Sequence, residues 1–99
     1  MEPDNTWVRP LAAGVRVYVE VQGRPLHRYA VTLQVLAGFY WQTIFLCDNA
    51  HGDHDMHRYT GDTKQPAERF MEGDPRDVLP AAIAFLVNHW EAIVESWKS

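Results

Sequence analysis

The eight residues Val15-Arg16-Val17-Tyr18-Val19-Glu20-Val21-Gln22 constrain the fold more than any other stretch of this chain. Successive side chains of a strand point to opposite faces of a sheet, so the valines at 15, 17, 19 and 21 define one apolar face, and Arg16, Tyr18, Glu20 and Gln22 define a polar one. Valine is stiff at χ1 and favours extended backbone, which disfavours a helix here on local grounds as well. A strand with one apolar face needs strand neighbours for its backbone and a covering layer for its valines.

The neighbours follow at once. Gly23-Arg24-Pro25 supplies a turn, and His27 to Leu36 alternates again through Tyr29, Val31, Leu33 and Val35. Ala37-Gly38 is a second turn, after which Phe39 to Cys47 reads as a third strand that is apolar on both faces at its far end. Short connections between consecutive strands favour antiparallel order. A short element near Met56 to Tyr59 and a loop from Gly61 to Pro66 come next.

The covering layer is the C-terminal segment. Asp74-Pro75 reads as an N-cap followed by the proline favoured in the first turn, with Pro80 marking a preliminary turn or a second start capped by Asp77. Leu79, Ile83, Leu86, Trp90, Ile93 and Trp97 then recur at spacings of four and three, one apolar stripe of an amphipathic helix in which Trp90 and Trp97 read as packing residues. The expected fold is α+β: an antiparallel meander of three to four strands with the C-terminal amphipathic helix packed on one face. Residues 14–99 form a single domain in this reading, and residues 1–13, with Pro3 and Pro10, form an arm whose Trp7 and Val8 dock on the domain or on a neighbouring subunit. One helix cannot cover both faces, so Tyr18, Tyr40 and Gln42 are expected on an open face suited to a homodimer or a ligand.

Composition narrows the function. A hydrophobic fraction of 46% in 99 residues is enough for one core without a disulfide or structural metal, and Cys47 is the lone cysteine, so no intrachain disulfide forms. Cys47 ends an apolar run and reads as buried and inert. A net charge of -4 argues against a protein whose main business is gripping a phosphate backbone, although contact with nucleic acid stays open, and Arg16, Arg24, His27 and Arg28 read as ordinary solvated sheet residues. The first residues have neither the basic nor the apolar region of a secretory signal, and the longest apolar run, Ala81 to Val87, is too short to span a membrane, so the expected location is cytoplasmic with no membrane partner.

Chemistry-bearing residues concentrate in Asp48-Asn49-Ala50-His51-Gly52-Asp53-His54-Asp55-Met56-His57, which holds three of the five histidines. Imidazole with carboxylate is a donor set for a divalent metal such as zinc, with His51, His54 and His57 as ligands and Asp53 or Asp55 as the fourth. The spacing of three places His54 on the opposite face of a strand from the other two, so only an irregular loop could gather them. Two further readings stand beside the metal. Asp48 and Asn49 cap the turn through side-chain to backbone bonds, with the histidines partly solvated, or a histidine oriented by an aspartate moves protons near neutral pH, with Arg58 and Arg69 holding phosphate.

The run Asp48-Asn49, Gly52-Asp53-His54 and His57, after a hydrophobic strand and before a C-terminal helix, resembles the TumE-type family of toxin-antitoxin systems and related uncharacterised small bacterial families. In that family a strand ends in Tyr-Asp-Asn, followed by Gly-Asp-His and another histidine. Here Cys47 stands in place of the tyrosine, and Asp55 and Met56 separate His54 from His57. The resemblance implies a bacterial or mobile-element setting and a role with a small toxin-antitoxin-type partner, and it implies no mechanism. The preferred expectation is therefore a binding module, acting as a homodimer or with a small protein partner. The rival is a His-dependent or metal-dependent ribonuclease-like toxin that uses His51, His54, His57 and Arg58.

Overall fold

A computed structural model describes residues 1–99. The fold is α+β: one antiparallel sheet with a single C-terminal helix on it. Strands β1 (Asn5–Ala12), β2 (Val15–Gln22), β3 (Arg28–Ala37), β4 (Tyr40–Asp48) and β5 (His54–Thr60) lie side by side in chain order. The short β6 (Thr63–Lys64) and β7 (Glu68–Met71) both pair with β5, and α1 runs from Pro75 to Lys98.

The expected meander is present but wider than three to four strands. Residues 5–12, expected to be part of an arm, are the edge strand β1, paired with β2 from Asn5↔Val21 to Ala12↔Val15. Pro10 obscures this in the sequence. It cannot donate to a ladder, which an edge strand tolerates, and the register slips between Pro10 and Ala12.

The valine face behaves as its period requires. Val17 and Val19 on β2, Tyr29, Val31, Leu33 and Val35 on β3, and Ile44, Phe45 and Cys47 on β4 are buried against Val78, Ala82, Leu86, Ile93 and Val94 of α1. The stripe on α1 is therefore centred slightly off the expected one: Leu86 and Ile93 are shared, Val78, Ala82 and Val94 join them, and Leu79, Ile83, Trp90 and Trp97 flank the contact half-buried. A flat sheet meets a helix over a broad strip, so rows either side of the central ridge also pack. Helix α1 is long and apolar enough to cross a membrane by length and composition, and here that apolar face lies on the sheet. Asp74 caps it as expected, its Oδ1 accepting from the Arg76 backbone N–H at 2.8 Å.

One irregularity decides what the other sheet face carries. Between β3 and β4 the register shifts after Leu33↔Phe45, so that Thr43 opposes Gln34 and Gln42 opposes Val35. An extra residue in one strand turns every side chain beyond it to the opposite face. Gln42 thus lies on the helix side, donating to the Gly61 carbonyl at 3.1 Å, and Trp41 replaces it on the open face. Of the residues expected on the open face, Tyr18 is there, while Tyr40 sits exposed at the β3–β4 turn.

Candidate functional site

The histidine-rich segment comprises a short turn, residues 49–53, joining β4 to β5, and the start of β5 itself. Asn49 at its start reaches sideways to the β3 backbone: its Oδ1 accepts from the Tyr29 N–H at 2.9 Å and its Nδ2 donates to the His27 carbonyl at 2.8 Å. The side-chain amide thereby prolongs the β3–β4 ladder after β4 has ended. Gly52 closes the turn, with its N–H on the Asn49 carbonyl at 3.1 Å and a φ of 93° that few other residues adopt readily.

His54 opens β5 and is buried, 6% exposed. Its Nε2 lies 2.8 Å from the Gly73 carbonyl and its Nδ1 lies 2.7 Å from the Tyr29 hydroxyl. A carbonyl can only accept, so Nε2 carries a hydrogen, and in the neutral ring Nδ1 accepts from Tyr29. The imidazole stacks on the Tyr29 ring, 5.7 Å between centroids at 15°. One side chain thus ties β5 to β3 and to the loop that launches α1.

Cys47 is buried in the core near Tyr29. Burial pushes its thiol up to about 12, with the nearby Tyr29 hydroxyl acting in the opposite direction, and burial likewise pushes the Tyr29 phenol well above its ordinary value. The thiol is therefore protonated at neutral pH and is no nucleophile, consistent with its position in the core.

The remaining candidates are spread apart. His57, three residues along β5 from His54, points to the face away from the helix, opposite Leu46, with Nδ1 donating to the Gln65 carbonyl at 2.9 Å. His51 is exposed in the turn. Asp53 pairs with Arg69 at 3.4 Å, both side chains half exposed or more. Asp55 faces Asp48 across the ladder. Arg58 lies over the Phe45 ring, 5.6 Å from its centroid, and lines a cleft with Tyr59, Gln65, Glu68 and Ser96.

Nowhere do three His, Cys, Asp or Glu side chains converge as a metal would require. The residues proposed as zinc ligands, His51, His54, His57 and Asp53, do not fit the ion: both His54 nitrogens are engaged, and His57 is on the other face. The acid-base set of His51, His54, His57 and Arg58 is likewise not gathered around one space. Of the three readings of this segment, side-chain to backbone bonding is met in part: Asn49 makes such bonds, but to the β3 side and not within the turn, no Asp48 side-chain bond accompanies them, and His54 and His57 are buried where partly solvated histidines were expected. No protein-family model, curated protein or solved structure matches this chain.

Sequence reasoning placed Tyr18 on the open face, read Arg16 as an ordinary solvated residue and did not place Trp41 there. Arg16 is held by Gln34, whose Oε1 accepts from the guanidinium Nε at 2.8 Å, and its guanidinium carbon sits 4.1 Å from the Trp41 ring centroid and 5.7 Å from that of Tyr18. Its terminal nitrogens have no partner within the chain, and Arg16 makes no ion pair. An arginine fixed by stacking and one hydrogen bond, with donors left over, is a common anchor of binding surfaces. The alternation of β2 placed Arg16 and Tyr18 together; only the bulge in β4 brings Trp41 to them.

Proposed function

We propose that this protein is a binding module whose contact surface is the uncovered face of its sheet, engaged by a second copy of the chain or by a small partner protein of the toxin-antitoxin kind that the Asp-Asn to His motif resembles. The observation that carries this reading is the Arg16, Tyr18 and Trp41 cluster on a face no element of the chain covers. Tyr, Trp and Arg are the residues that dominate interface energetics, and they cluster where partners desolvate them. Leu36, opposite Trp41, extends the surface at the β3–β4 end, beside the turn where Phe39 has its whole side chain in solvent.

No comparable observation favours the nuclease reading, because its four named groups do not share a pocket and His54 has no free nitrogen. The binding reading is tested by solution mass from light scattering, alone and after co-expression with the product of an adjacent gene. A dimer or a stable complex is expected. A monomer up to high micromolar concentration that gains no mass on co-expression contradicts it.

A further inference from the structure

We infer that the partner of the open face is a second copy of this chain, docked face to face about a two-fold axis that passes over Tyr18 and runs across the strands; this rests on the binding reading above. The face is built as three rows set by the strand register. The central row is Val8, Tyr18, Thr32 and Leu46, and it ends at His57, which is buried and bonded to the Gln65 carbonyl. One side of it holds Arg16 and Gln34, and the other holds Glu20, Ala30, Asp48 and Asp55. Arg16 and Glu20 are each two residues from Tyr18 on the same strand and the same face, one cationic and one anionic, and neither has an ion-pair partner in its own chain.

A two-fold axis along the central row exchanges the outer rows while leaving each strand over its own counterpart. It therefore sets Arg16 against Glu20 of the other copy, twice, with Tyr18 meeting Tyr18 between them. The same operation brings Arg28, which opposes Gln22 at the acidic end of the face, over the Leu36 and Trp41 row. The alternative two-fold, along the strands, sets Glu20, Asp48 and Asp55 against the same acidic row and is repulsive. Five strands about 4.8 Å apart with eight or so residues each make a face of roughly 600 Å² in projection, the scale of one side of a standard interface, about 800 Å² of accessible surface.

The pairing makes a prediction that no other arrangement of the surface makes. Arg16→Glu alone leaves acid facing acid, and Glu20→Arg alone leaves base facing base, so each variant should associate at least roughly 100-fold more weakly than the parent. Mixed in equal amounts, the two variants restore both pairs and form a heterodimer, read by light scattering or by exchange between differently labelled copies. The double variant Arg16→Glu/Glu20→Arg dimerises again, since it only swaps the charges. Recovery on mixing also shows that the single variants are folded. A parent that dimerises while both single variants remain dimeric, or while the mixture stays monomeric, overturns this geometry and leaves the binding reading intact. A parent that is monomeric alone but gains mass with a neighbouring gene product overturns the second-copy assignment only, and a parent monomeric in every setting overturns both.

Discussion

The turn between β4 and β5 with the buried His54 that follows it, and the open face around Arg16, teach opposite lessons about polar residues. The turn is dense in residues that do chemistry elsewhere, yet the bonding capacity of Asn49 is spent on the β3 backbone and that of His54, just after it, between Tyr29 and Gly73. The face looks like the ordinary wet side of a sheet, yet Arg16 is fixed and has donors left over. Residue type suggests what a group can do; the bonds it already makes decide what it is free to do.

Perturbations of the two regions should therefore separate cleanly. The largest effect is expected at alkaline pH in the core near Tyr29. Cys47 is raised from 9.0 to about 12 in the folded chain, so the unfolded chain loses the thiol proton first. The contribution to stability is complete below the unfolded value and is lost as pH climbs toward the folded one, by up to about 4 kcal/mol near pH 12. The Tyr29 phenol, also raised, adds loss of the same sign. Denaturant titrations from pH 8 to pH 11 should show this decline, and Cys47→Val should flatten it; an equal slope in the variant would break the assignment.

Next in size, His54→Ala empties a buried site and strands both the Tyr29 hydroxyl and the Gly73 carbonyl, for a loss of about 3 kcal/mol and a fall in Tm of about 15 °C. Self-association measured well below that Tm should be unchanged. Asn49→Ala removes two bonds to the β3 backbone and should lower stability by about 2 kcal/mol, read as the same denaturation midpoint. Arg16→Ala sits at the small end for stability, within about 0.5 kcal/mol, because its loss leaves no buried group unpaired, while its effect on association is large. A variant of Arg16 that unfolds the chain, or one of His54 that only dissociates it, would invert the contrast.

How far the sequence could be read follows from the range of the forces involved. The alternation of β2 and β3, the Asp74 cap and the apolar helix are local and were legible, as was a sheet with one covered face. Strand β1 was not, because Pro10 breaks the period that betrays a strand, and β7 was not, because four residues carry too little pattern. The fate of the histidines depended on partners far along the chain: Tyr29 is 25 positions from His54 and the Gly73 carbonyl 19. No spacing rule reveals such pairs. The exchange of Gln42 for Trp41 on the open face came from one bulge, which neither strand's sequence announces.

The claim on which the contrast depends is that His54 holds the fold together and is not a free donor. Its imidazole ¹⁵N and ¹H resonances, followed during a zinc titration of protein purified without an affinity tag, test this most directly. The structure predicts a slowly exchanging Nε2–H on a ring whose shifts do not move with the metal. A ring lacking that proton, or His54 resonances that shift together with those of His51 and His57 at one zinc per chain, would contradict it.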